Sequence, residues 1–312
     1  MTANVSACSV ENDRQSPYRE SCANKLAETE VTRIGYEIID IQSIIRRVSG
    51  RSQGHLVQGS DGRFYVAKFA GNPQGNRTLI NEWIAYRLFE RLEVSTPALR
   101  VLRLSEETRD KAGLCFSVGS RNISVQPGLH LGSQCPVDPT TTAIFDFLPR
   151  KLLRSLVVNL ADFAKAFVVD KLLGQTDSRQ CIFVRESRPG NSDVGFRAYM
   201  IDHGSILAAS QWKFQHPSRY GIYLDSTVYS IVDMHSLCGE ATEMIRHTSV
   251  SELYPAATGI PSAWFSDADY ERLAKLFTDL QNRVSGVDSL ISSQLTWRHR
   301  RSAMSPASSV SA

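Results

Sequence analysis

The apolar positions of this chain run in two periods, and the switch between them marks its elements. Tyr36-Glu-Ile-Ile-Asp-Ile-Gln-Ser-Ile-Ile45 is rich in β-branched residues and is expected to be extended. Ile44 to Val48 leads as a strand into Ser49-Gly-Arg-Ser-Gln-Gly54, and His55-Leu-Val-Gln58 leaves it. Asp61-Gly62 is a hairpin signal. Arg63-Phe-Tyr-Val-Ala-Lys-Phe69 then alternates with a period of two, which puts Phe64, Val66 and Lys68 on one face. From Thr78 to Leu92 the period becomes helical: Leu79, Ile80, Trp83, Ile84, Arg87 and Leu88 recur at i, i+3, i+4, with Glu82 beside that stripe. Pro97 to Leu104 reads as a further strand. The pattern predicts a small antiparallel sheet over 34–104, with one helix inserted after its third strand.

Residues 105–150 are less periodic. Leu114-Cys-Phe-Ser-Val118 reads as a strand, and Pro127-Gly-Leu-His-Leu-Gly-Ser133 as a glycine-containing turn region. Arg150–Leu156 and Leu160–Leu173 read as helices, the second stopped by Gly174. Cys181-Ile-Phe-Val184 and Ala198-Tyr-Met-Ile201 are apolar runs that could pair as strands, and Thr227–Cys238 and Asp267–Leu290 read as helices. The region 105–298 is therefore expected to be a larger, mainly helical unit around a short hairpin, which makes the fold class α+β. Residues 1–30 and 299–312 are polar or small and cannot bury enough apolar surface to offset chain entropy, so both are expected to be disordered.

Composition narrows the function classes. A net charge of +3 is too small to argue for nucleic acid or a membrane surface. The basic cluster Trp297-Arg-His-Arg-Arg301 reads as a solvated tail. No apolar run approaches the length of a membrane span, and the N-terminus lacks a secretory pattern. The six cysteines show no CxxC spacing and read as reduced thiols of a cytoplasmic protein. The histidines show no metal spacing, which disfavours zinc. Gly50-Arg-Ser-Gln-Gly54 meets the GxSxG pattern, but a strand follows it where a nucleophile elbow needs a helix.

What remains is chemistry at the mouth of the 181–184 and 198–201 hairpin. Asp177 lies in the loop before the first strand and Asp202 ends the second, so pairing brings both carboxylates to one mouth. Such a pair suits a divalent metal bound to a nucleotide phosphate. Lys68, on the inward face of its strand, needs an acid partner because burying an unpaired charge costs several kcal/mol, and Glu82 on the next helix is suitable. The turn at 49–54 has glycines that let backbone N–H groups approach an anion. Each feature has a structural reading on its own: hairpin loop, lysine snorkelling at a sheet rim, turn aspartates. Their order along the chain favours phosphoryl transfer.

At this point the sequence resembles the HipA-like kinases, specifically the stand-alone HipA-like kinase domain. GRSQGHLVQGSDGRFYVAKFAGNPQGNRTLINEWIAYRL resembles the family's small lobe. GLHLGS, IFDFLP and NLADFAKAFVVDKLLGQTDSRQCIF resemble the lobe connection and catalytic segment, and MIDHGSI, QWKFQHPSRYGIY and VYSIV complete the likeness over about residues 44–290. The resemblance implies a bilobal protein-kinase-like fold, with ATP and Mg²⁺ as cofactors and a protein Ser or Thr as acceptor. On that mapping Gly50, Ser52 and Gln53 cover the nucleotide and Lys68 holds its phosphates. Glu82 pairs with Lys68, Asp177 is catalytic, and Asp202 binds metal. The family's metal-binding Asn, five residues after the catalytic Asp, is Ile182 here, and Gln180 is the nearest amide that could substitute. Gln175 stands where the family usually has Asn. These departures leave a nucleotide-binding pseudokinase as a second reading. A lipid or small-molecule kinase is a third, suggested by the strand-end Asp-x-Gly. The likeness does not extend to the extra N-terminal module of full-length HipA toxins, so no toxin role is implied. The protein substrate and the oligomeric state are not specified by the sequence.

Overall fold

The computed structural model describes residues 37–187, 194–215, 220–247 and 259–304, with side chains to residue 295. Residues 1–30, expected to be disordered, lie outside the described residues.

The first half is a closed barrel rather than an open sheet. Its strands are β1 (Ile38–Arg47), β2 (His55–Gly59), β3 (Phe64–Lys68), β4 (Leu99–Leu104) and β7 (Gly128–Gln134), in the order β1-β2-β3-β7-β4. All neighbours are antiparallel except β1 and β4, which close the barrel in parallel through Ile38↔Val101 and Ile39↔Leu102. The purely antiparallel sheet expected from the sequence is corrected by that seam. The expected boundary at residue 104 is corrected as well, because β7 pairs with both β3 and β4. The stretch read as a turn region is thus strand from Gly128 onward. Its Gly132 is the reason for the misreading: a Cβ there would lie 2.6 Å from the Leu102 side chain, so the strand needs a residue without one. Between β4 and β7 come α2 (Glu106–Ala112) and the hairpin β5 (Cys115–Val118) with β6 (Arg121–Ser124). Inside the barrel Ile39, Val57, Tyr65, Ala67, Phe69 and Leu102 form one core, and Leu114, Phe116 and Val125 extend it beneath the hairpin.

The second core starts on α1 (Arg77–Arg91), whose Leu79, Ile80, Trp83, Ile84 and Leu88 are buried, and continues into the helical half. There α3 (Arg150–Leu156) and α4 (Ala161–Leu173) precede a three-stranded sheet in the order β10-β9-β8. Its strands are β8 (Ile144–Phe145), β9 (Gln180–Ser187) and β10 (Val194–Ile201). α4 is buried nearly all round, including Phe163, Phe167, Val168 and Leu172, so it is the axis of this half. It ends at Gly174, whose φ of 64° is left-handed, as a helix-stopping glycine requires. The 227–238 stretch is two helices, α5 (Thr227–Ser230) and α6 (Met234–Arg246), because the Asp233 side chain caps a new start at His235 and Ser236. Likewise 267–290 divides at Gly286 into α7 (Asp267–Ser285) and α8 (Val287–Met304). α8 runs through 299–304, which corrects the start of the expected tail; 305–312 lie outside the described residues. Among the described residues, no helix is long and apolar enough to cross a membrane.

Candidate active site

The barrel and the β9–β10 hairpin face each other across a cavity of about 810 Å³. One part of its wall is apolar, with Val48, Leu56, Val66, Leu99, Leu131 and Met200, and the rest carries the ionisable groups. Gly50, Ser52, Lys68, Glu82, Asp177, Gln180 and Asp202 all line it. Residues more than a hundred positions apart are thus brought together as the sequence predicted.

Lys68 is the hub. β3 ends with its Nζ 2.5 Å from Glu82 Oε1 on α1 and 2.9 Å from Asp202 Oδ1 at the end of β10. Two carboxylates share one ammonium, so the cluster carries a net negative charge suited to a cation. Burial works against the charge on Lys68, but the two carboxylates outweigh it and raise its pKa. The Lys68 charge holds Asp202 down to about 2 despite burial, whereas burial pushes the Glu82 carboxyl up against the pull of Lys68. Asp202 therefore carries the exposed negative charge of the pair. Its backbone is left-handed, with φ of 58°, uncommon for a residue other than glycine.

That conformation is held from both sides. Arg179, fully buried, donates from Nη1 to the Ile201 carbonyl at 2.7 Å and lies 3.0 Å from His203 Nδ1. Its Nε and Nη2 make a bidentate pair with Asp170 of α4 at 2.8 and 2.6 Å. His203 Nε2 is 3.3 Å from Thr96 Oγ1, and that hydroxyl itself donates to the Met200 carbonyl. Nε2 must then carry the proton while Nδ1 accepts from Arg179. Burial, with Arg179 and Lys68 nearby, drives the His203 pKa well down, consistent with a neutral ring. His203 is a structural partner rather than a base.

After Asp202, the Gly204 N–H donates to Glu82 Oε1 at 2.9 Å. The neighbouring Asn81 sends its Nδ2 to the carbonyls of Gly204, Ile206 and Ala209 and accepts from Trp212 Nε1. This single amide organises a loop in which Leu207, Ala208 and Ala209 are all left-handed.

Asp177 sits between α4 and β9. Its carbonyl accepts from Gly221 N–H and its Oδ1 from Ser178 N–H, both at 2.8 Å. Arg51 of the glycine turn reaches across the cleft to Asp177 Oδ2 at 3.1 Å. Gln180 donates from Nε2 to Asp202 Oδ2 at 3.1 Å. Ile182 also lines the cleft, two residues further along β9, and offers no metal ligand. Gln175 is buried outside the cleft, its Oε1 accepting from Thr176 N–H.

Gln53 departs from expectation. Its side chain turns away from the cavity to the β5–β6 hairpin, where Nε2 donates to the Ser117 carbonyl at 2.7 Å and Oε1 accepts from Ser117 N–H at 2.8 Å. Both ends of the amide are engaged, so it does not bind nucleotide through its side chain. The sequence assigned no role to Arg51, Asn81, Asp170 or Arg179. For Asp170 a signal existed: a carboxylate in the apolar run Phe167–Leu173 needs a buried partner.

Among the described residues no cluster of three or more His, Cys, Asp or Glu forms a metal cage. Asp202 offers carboxylate oxygen to a divalent ion, whereas Gln180 turns its Nε2 and not its oxygen toward Asp202; so small a protein share fits a hard cation that completes its shell with phosphates and water.

The architecture is a protein-kinase-like α+β fold. It is shared with the Helicobacter pylori proinflammatory kinase CtkA, with TM-score 0.50 and 14% identity over 82% of this chain and 98% of that one. A Golgi casein kinase is similar at TM-score 0.47 and 12% identity, over 88% of this chain and 77% of that one. The sequence model of the family described as HipA-like kinase matches residues 41–123, from β1 into β6, so this segment is similar to that family. No curated protein matches the chain.

Proposed function

We propose that this protein is a kinase that transfers the γ-phosphoryl group of ATP, with Mg²⁺, to a protein Ser or Thr hydroxyl. The observation that carries the reading is the convergence of Lys68, Glu82 and Asp202 on one wall of a cleft whose mouth holds Asp177. The apolar wall suits a planar base, and the glycine turn at 49–54 lies over the phosphates. Lys68 Nζ, held by Glu82, binds phosphate oxygens. Asp202 and Gln180 would hold the metal, which supplies charge neutralisation at the phosphates; Gln180 does so with its amide turned to present Oε1. Asp177 accepts the proton of the acceptor hydroxyl as that oxygen bonds to the γ-phosphorus and the bond to ADP breaks. Arg51 leaves Asp177 when the acceptor enters. The HipA-like match over the barrel supports ATP as the donor, and the protein acceptor rests on the same likeness.

The test is labelled ATP with Mg²⁺ and a generic protein substrate. Wild type should transfer label to itself or to the substrate and Asp177→Ala should not; equal labelling by both sinks the assignment. Ile182 favours a second reading, nucleotide binding without transfer, because it removes a ligand position. ATP-dependent thermal stabilisation with no labelling under several divalent metals would select that reading.

A further inference from the structure

We infer that the β5–β6 hairpin is a clamp on the glycine turn, and that Gln53 is the positioning residue through which it acts; this rests on the nucleotide site proposed above. The turn is short of internal restraint. Within it, Gln53 N–H donates to the Gly50 carbonyl at 3.2 Å, and Val48 N–H to the Gly54 carbonyl at 2.9 Å. Gln53 itself is left-handed, with φ of 53°, a conformation that a free turn would readily leave. Its side chain supplies what the backbone lacks. One amide donates to and accepts from the same residue, Ser117, so it fixes both the distance and the orientation of the turn.

The other end of this tie is rigid. Ser117 follows Phe116, which is buried in the barrel core with Leu114 and Val125, and Val125 N–H donates to the Leu114 carbonyl. The two Ser117 groups that hold Gln53 are those not used against β6. β6 is exposed along its whole length, so the hairpin adds little core of its own. What its register provides is a fixed pair of backbone groups facing the turn. The clamp thus sets where Gly50 and Ser52 stand over the cleft before nucleotide arrives, which lowers the ordering cost of binding.

Gln53→Ala leaves the exposed Ser117 groups to water, so the protein should fold. Its ATP affinity with Mg²⁺ should weaken roughly tenfold, appearing as a rise in KM for ATP larger than any fall in kcat. Amide hydrogen exchange at Val48 and Gln53 should accelerate. Ser117→Pro, which removes the donor from the hairpin side, should do the same. The double variant should be no worse than either single one, because both cut one tie. Unchanged exchange at Val48 and Gln53 in Gln53→Ala, or additive effects of the two substitutions, would overturn the clamp. If wild type binds no nucleotide, the reading of the site fails, and the exchange comparison still decides whether the hairpin holds the turn.

Discussion

Asp170 and Arg179 form an ion pair with side chains 0% and 1% exposed, and the same guanidinium bonds the residues on either side of Asp202. The end of α4, the loop before β9 and the end of β10 are therefore fixed to one another through one cation. Arg179 also lies over the Phe89 ring of α1 at 5.5 Å, and that ring packs on His203 at 4.5 Å.

Breaking that pair should be costly. Arg179→Met leaves Asp170 buried without a counter-charge, and a loss of about 3–5 kcal/mol in unfolding free energy is expected. Asp170→Leu combined with Arg179→Met should recover much of it. Urea unfolding of Arg179→Met, Asp170→Leu and the double variant measures this; an additive loss in the double variant would contradict the pairing.

Lys68→Met removes the ammonium that Glu82 and Asp202 share. Stability should fall by roughly 3 kcal/mol, as expected when one partner of a buried pair is removed, and transfer should be lost. Arg51→Ala should change stability by less than about 0.5 kcal/mol, because Arg51 is 78% exposed. Parallel denaturation curves separate the two.

Asp202 provides a pH signature. Its folded pKa, about 2, lies below the ordinary 3.8. It therefore contributes stability above about pH 4, and this is lost as pH falls toward 2. Unfolding midpoints of wild type and Asp202→Asn should converge over that interval. A constant difference down to pH 2 would show that the carboxylate is not held by Lys68.

Ile182→Asn restores an amide on the cleft side of β9. Under the transferase reading it should raise activity or Mg²⁺ affinity by roughly tenfold, the scale on which ligand-shell changes act. Initial rates against Mg²⁺ concentration measure this, and Gln180→Ala should lower the same quantity. Insensitivity to both substitutions would argue that metal is bound elsewhere.

The site was more legible in the sequence than the barrel that supports it. Lys68 and Glu82 could be found because a charge inside an apolar pattern demands a partner, and Asp202 because it ends an apolar run that could pair with the one following Asp177. α3 could be bounded at Arg150 and Leu156, and α4 ended where Gly174 predicted. β7 was hidden because it holds Gly128 and Gly132, residues that usually break strands: Gly132 is required by its close approach to Leu102, and Gly128 by a φ of 136°. The parallel β1–β4 seam leaves no local signal, since it pairs residues about sixty positions apart. Gln53 was misplaced because residue type announces an amide but not the direction in which it points. Gly286, between α7 and α8, did signal a break that the continuing apolar pattern concealed.

The Asn81 amide has a consequence for how the cleft could open and close. Glu82 and Asn81 are adjacent on α1, one bonding Lys68 and Gly204, the other bonding the loop from Gly204 to Trp212. For that loop to swing out alone, three carbonyls, those of Gly204 and Ile206 buried, and an indole N–H must lose their partner together. For α1 to rotate away, it must carry the loop with it. Helix and loop are thus tied at two adjacent residues, and a movement of either one alone must break the bonds of both Asn81 and Glu82 to the loop.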